Sequence, residues 1–226
     1  MRKILFIGNS YTYFNDMPEI FRGIAEAAGQ EVSVLSVTEG GCTLMRHLDE
    51  STEIGLKVKQ ALSEPWDDII LQEHSRGRII GRPDFFAGVA AFSDAAKRLG
   101  ARLHLYMTWG YKPGHPFYAE TGFRPDGMAF RIAEGYELAG RLFGVDVDPV
   151  GRAFSLCRKE YPDIELYDPD MTHPSLAGSC LSAAVHYISL FGADSASLPS
   201  GMDEDTSAKL WDIASRVCGG RTPSKK

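Results

Sequence analysis

The chain has 226 residues, with 24 Lys and Arg against 30 Asp and Glu, giving a formal charge of −6. Its 44% hydrophobic and 24% charged content matches globular averages and excludes collagen-like, coiled-coil and disordered classes. No run of Lys or Arg exceeds three residues, so a nucleic-acid partner is not expected.

The length suits one domain with an ample core, and we read residues 1–218 as that domain and 219–226 as a frayed, flexible tail. The N-terminus has two charges and then only Ile4 to Ile7, too little apolar length for a signal-peptide core. The uncharged stretch from Gly178 to Ala193 is too short and polar to span a bilayer, so no membrane association is expected. Cys42, Cys157, Cys180 and Cys218 form no CxxC pair. They read as reduced structural thiols, which points to the cytoplasm.

In chain order, Lys3 to Ile7 is a continuous apolar run ending at Gly8, the pattern of a buried parallel strand. A helix follows over Met17 to Ala28, with Asp16 as N-cap, Pro18 in the first turn and Gly29 as the stop. Residues 31–37 predict a second strand broken by Gly40-Gly41, and residues 43–63 are helical in pattern. Ile69 to Leu71 predicts a third strand and residues 84–99 a helix. Arg102 to Thr108 predicts a fourth strand, and residues 109–127 a long loop rich in Pro, Gly and aromatic residues. Helices follow at 128–143, 151–161, 175–191 and 203–218, with a short fifth strand over 145–150. Repeated strand–helix alternation implies a flavodoxin-like, three-layer α/β/α sandwich around a parallel sheet of about five strands. Ligands then bind beyond the carboxyl ends of the strands.

Polar residues collect there. Ser10 follows the first strand, as a turn residue or as a nucleophile with its own N–H near a helix start. Gly40-Gly41 follow the second, as an ordinary loop or as a close backbone donor. Gln72, Glu73 and His74 follow the third, and the Gln72 carboxamide has hydrogens to donate. Asp170 and His173 stand three apart in a late loop, as a helix cap or as a carboxylate orienting an imidazole. His74, His115 and Glu73 lack the spacing of a zinc site, and no metal is expected. No phosphate-cradling motif is present, which weakens a nucleotide or phosphate binder.

Gly8-Asn9-Ser10 near the start, with Asp170-x-x-His173-Pro174 near the end, resembles the SGNH hydrolase superfamily, also called GDSL esterases. The resemblance implies Ser10 as nucleophile and first oxyanion donor, Gly41 as second donor with Gly40 as the other choice, His173 as base and Asp170 as its orienting acid. Asn9 replaces the family's usual Asp. The chain's only asparagines, Asn9 and Asn15, lie by the first strand, so Gln72 is assigned the role of the family's third-block Asn. Trp109 and Tyr111 from the aromatic loop, with Glu73, are expected to bind substrate. The expected activity is a cofactor-independent serine hydrolase of carboxylic esters, deacylating a carbohydrate or another small O-acyl ester. A non-catalytic carbohydrate-binding or interaction protein on the same fold is the alternative.

Overall fold

The computed structural model describes residues 1–76, 82–192 and 202–219. Five strands form one all-parallel sheet in the order β2-β1-β3-β4-β5. They are β1 (Arg2–Gly8), β2 (Val32–Thr38), β3 (Asp68–Leu71), β4 (Arg102–Tyr106) and β5 (Asp146–Asp148). Side chains alternate across the sheet. Ile4 and Phe6 therefore face one buried layer, and Leu5 and Ile7 the other. The first layer packs against α2 (Met17–Ala27), α8 (Val150–Glu160), α9 (Leu176–Phe191) and α10 (Glu204–Cys218). The second packs against α4 (Glu53–Ala61), α5 (Arg82–Leu99) and α7 (Pro125–Phe143). This is the expected α/β/α sandwich with flavodoxin-like strand order.

The differences are local. The single helical stretch expected over 43–63 is two helices, α3 (Leu44–Leu48) and α4, each N-capped by a threonine, Thr43 and Thr52. Strand β4 stops at Tyr106, two residues early, because Met107 N–H donates to Asp148 O beyond the last paired residues and Gly151 N–H then takes the Met107 carbonyl. The loop over 109–127 contains α6 (Pro116–Thr121), N-capped by the His115 ring and closed by Gly122, and α7 already starts at Pro125. Asp16 is not an N-cap in the ordinary sense. Its backbone is left-handed and its side chain makes no cap bond. Of the expected tail, Gly219 closes α10, and residues 220–226 lie outside the described residues.

A short helix that the sequence pattern does not announce, α1 (Ser10–Tyr13), follows β1 directly. A single 3-10 turn over Phe14–Asp16 links it to α2.

Beneath the strands runs a buried ionic chain. Asp68 accepts from Arg2 at 2.5 Å and from Arg102 at 2.8 Å. The His104 ring stands 3.4 Å from Asp68 and 3.0 Å from Asp148, and Asp148 also meets His186 at 2.7 Å. Asp68, His104, Asp148 and His186 are all buried. Burial opposes charge on His104, but the two flanking aspartates outweigh it and push its pKa up to about 10. No helix among the described residues is long and apolar enough to cross a membrane.

Candidate active site

Ser10 is the first residue of α1, where a backbone N–H has no partner within the helix. Asn9 caps this turn, accepting from Tyr11 N–H through its side chain at 3.2 Å. The other half of the same amide donates to Cys42 O at 2.9 Å. An aspartate has no hydrogen to offer that carbonyl, which gives a physical reason for Asn at this position. Gly8 leaves no room for a side chain: a Cβ there would stand 2.3 Å from Thr12 Oγ1 and 2.6 Å from Gln72 Oε1.

The loop after β2 is fixed to the same turn. Glu39 N–H donates to Gly8 O at 3.3 Å, and Cys42 N–H closes a turn onto Glu39 O. Gly41, at the third position of that turn, has φ +67°, which favours glycine. It is exposed, and its N–H has no hydrogen-bond partner among the described residues.

The late loop brings the other two residues. His173 Nε2 lies 2.8 Å from Ser10 Oγ. His173 Nδ1 is hydrogen-bonded to Asp170 Oδ2. Asp170 Oδ1 also accepts the N–H groups of Thr172 and His173, each at 2.9 Å. Partial burial works against a charged Asp170, but these three bonds prevail and hold its carboxyl down to about 2. Ser10, His173 and Asp170 therefore form a continuous hydrogen-bonded line at the carboxyl edge of the sheet. The loop is pinned on its far side by Trp109 Nε1–H to Thr172 O at 3.0 Å and by Lys112 N–H to Met171 O at 2.9 Å. Against the His173 ring, the Phe14 ring stacks at 4.2 Å and 11°, and the Tyr11 ring approaches edge-on at 5.4 Å.

The structure corrects four expectations. Gln72 does not face a substrate. It is 0% exposed, and its Oε1 accepts Asn9 N–H at 2.8 Å and Thr12 Oγ1–H at 2.9 Å, while Nε2 donates to Glu73 O at 2.6 Å. A backbone N–H can only donate and a carbonyl can only accept, so this orientation is fixed by its neighbours. Gln72 ties the end of β3 to the Ser10 turn. Trp109, Tyr111 and Glu73 are 1%, 6% and 2% exposed, so none forms an open substrate wall. Trp109 is stacked between Tyr11 and Phe154 at 4.6 and 4.0 Å. Tyr111 pairs its hydroxyl with Ser75 at 3.2 Å. Glu73 turns to the opposite side of the sheet from Gln72, accepting His74 N–H at 2.5 Å and Leu44 N–H at 3.3 Å. Burial pushes its carboxyl up to about 7 despite those two bonds. The aromatic residues that do flank Ser10 are ones the sequence reading passed over. Phe14 is half-buried against His173, and Tyr13 is 39% exposed with its hydroxyl against Gly40, 3.2 Å from where a Cβ would stand. The signal was present as aromatics at the last position of α1 and directly after it.

No protein-family model and no curated protein matches the chain. Solved structures do. A DUF4886 family protein from Bacteroides uniformis superposes with a TM-score of 0.79 at 20% identity, covering 96% of this chain and 94% of its own. An acetylxylan esterase from Geobacillus stearothermophilus gives a TM-score of 0.62 at 16% identity over 82% of this chain and 92% of its own. At those identities the likeness shows the fold. A protein from Slackia heliotrinireducens assigned to the SGNH hydrolases is closer in sequence, 36% identical with a TM-score of 0.72, over 82% of this chain and 97% of its own. That identity, spread over almost the whole of the relative and carried on the same sandwich, places this chain in the SGNH hydrolase family.

Proposed function

We propose that the protein is a serine esterase that removes a small acyl group through an acyl-enzyme. The observation that carries this reading is the unbroken line Ser10 Oγ, His173 Nε2, His173 Nδ1, Asp170 Oδ2. Ser10 Oγ attacks the acyl carbonyl while His173 Nε2 takes its proton. Asp170 holds Nδ1 protonated and the ring in place, and stabilises the imidazolium that forms. The oxyanion is met by the backbone N–H groups of Ser10 and Gly41. With Gln72 committed elsewhere, no side-chain amide is assigned to the hole, a difference of about 3 kcal/mol in transition-state stabilisation relative to a site with one more donor. The imidazolium then protonates the leaving alkoxide. Water, activated by the same base, splits the acyl-serine and restores the enzyme.

The substrate reading is an O-acetylated carbohydrate or a similar small ester. It is supported by the exposed Tyr13 ring beside Gly40, a flat face suited to a sugar ring, and by the acetylxylan esterase among the structures of the same fold. No cofactor enters these steps. One domain over 1–218 is supported by α9 packing onto β5 of the sheet built from residues 2–148, and by α10 packing in turn onto α8 and α9. A cytoplasmic setting is supported by the buried thiols of Cys42, Cys157 and Cys180, which form no disulfide among the described residues. The test is hydrolysis of p-nitrophenyl acetate and of acetylated xylooligosaccharides. Ser10→Ala and His173→Ala should each lower kcat at least ~10³-fold with little further loss in the double variant, and Asp170→Asn should cost less. A Ser10→Ala protein that keeps a tenth of wild-type activity refutes the reading.

A further inference from the structure

The segment that carries Ser10 and the loop that carries His173 are joined by more than the hydrogen bond between them. Phe14 lies flat on the imidazole, 4.2 Å between centroids and 11° from parallel. The next residue, Asn15, donates from Nδ2 to Pro174 O at 3.0 Å and to Ser179 Oγ at 3.0 Å. Ser179, in the first turns of α9, donates back to Phe14 O at 3.2 Å. Asn15 and Asp16 both have left-handed backbones, φ +53° and +51°, a conformation that costs non-glycine residues energy and persists where surrounding contacts impose it. That reversal is what turns Phe14 back over His173 rather than letting α1 run on into α2.

We infer that Phe14 and Asn15 are positioning residues that fix the His173 ring in register with Ser10. The inference rests on the reading of His173 as base. An imidazole bonded at Nδ1 to Asp170 can still swing about that contact, which moves Nε2 away from the serine. The Phe14 face on one side and the Tyr11 edge on another remove that freedom. The Asn15–Pro174 bond sets the height of the late loop over the first. Side-chain misplacement of about 1 Å is enough to cost on the order of 10²-fold in rate.

The experiment compares wild type, Phe14→Leu, Phe14→Tyr and Asn15→Asp on p-nitrophenyl acetate, with thermal melts and proton NMR of the His173 ring, assigned by its disappearance in His173→Ala. Leucine keeps the apolar bulk and loses the flat face. Aspartate keeps a short polar side chain that tolerates the left-handed backbone and loses both donated hydrogens. Phe14→Leu and Asn15→Asp should each lower kcat by ~10- to 10²-fold with KM within about twofold, as expected for an interaction that matters in the transition state. Phe14→Tyr should restore most of the rate. The His173 carbon-bound ring protons, shielded by the stacked Phe14, should move downfield in Phe14→Leu and stay in place in Phe14→Tyr. Wild-type kcat in Phe14→Leu, or His173 resonances that do not move, overturns the inference while leaving the esterase reading intact. A wild-type protein inactive on every ester overturns both, even with the ring stacked.

Discussion

Glu73 is a carboxyl buried at 2% exposure, and burial pushes it up to about 7 from the ordinary 4.5. In the unfolded chain it loses its proton near 4.5. In the folded protein it keeps that proton until about pH 7. Between those values the folded state binds one more proton than the unfolded state, so stability falls as pH rises. Each pH unit of that window is worth about 1.4 kcal/mol, and the whole window sums to about 3 kcal/mol. Glu73→Gln replaces the carboxyl with a neutral group of nearly the same shape that can still accept one of the N–H groups of Leu44 and His74. The variant should match or fall slightly below the wild type at pH 5 and gain on it steadily to pH 8, ending about 2.5 kcal/mol ahead of its own pH 5 comparison. For a chain of this size that is about 5–10 °C in Tm. Urea unfolding followed by circular dichroism at pH 5, 6, 7 and 8 measures it, with the difference between the two proteins cancelling every other titrating group. Two stability curves that stay parallel across this range would refute the reasoning.

Other outcomes follow from the same contacts. Gln72→Ala leaves the Asn9 N–H and the Thr12 hydroxyl buried without their acceptor, and should lower stability by about 2–4 kcal/mol, read by chemical denaturation. A loss of kcat at unchanged stability would instead return Gln72 to the oxyanion. Asp148→Ala strips His104 and His186 of their shared partner and should cost about 3–5 kcal/mol. A loss below about 1 kcal/mol would show that the buried chain is not a unit.

The sheet was legible because its strands are runs such as Ile4 to Ile7 and Ile69 to Leu71, apolar on both faces, which only a strand covered by two helix layers requires. Ser10 and the Asp170–His173 pair were legible because position puts a strand-end hydroxyl and a late carboxylate and histidine at one edge, and because the resemblance carried by Gly8-Asn9-Ser10 and Asp170-x-x-His173-Pro174 joins them into one line. Gln72 was misread because position fixes which edge a residue occupies and not which partner claims its side chain. The free N–H of Asn9, exposed by the tight Gly8 turn, claimed it first. Trp109 and Tyr111 were misread for a related reason: aromatic rings serve a core as readily as a binding face, and here Tyr11 and Phe154 enclose Trp109. The Phe14 contact was invisible because α1 is one turn long, too short for any periodicity, and because the left-handed Asn15 and Asp16 break the pattern that would have linked it to α2.

The buried ionic chain has a consequence for how the protein is made. Its members enter from residue 2 to residue 186, and Arg2 reaches on to the Leu190 carbonyl. A chain emerging from a ribosome can pair Asp68 once β4 is out, but Asp148 lacks its second partner until α9 has been delivered. Charged groups without partners do not tolerate burial, so the layer beneath the sheet cannot close early. The residues that precede α9 directly are the loop bearing Asp170 and His173. Completion of the core thus follows directly on the arrival of His173 in synthesis, and a nascent or truncated chain ending before Asp170 would have neither a sealed interior nor the hydrogen-bonded line from Ser10 to Asp170.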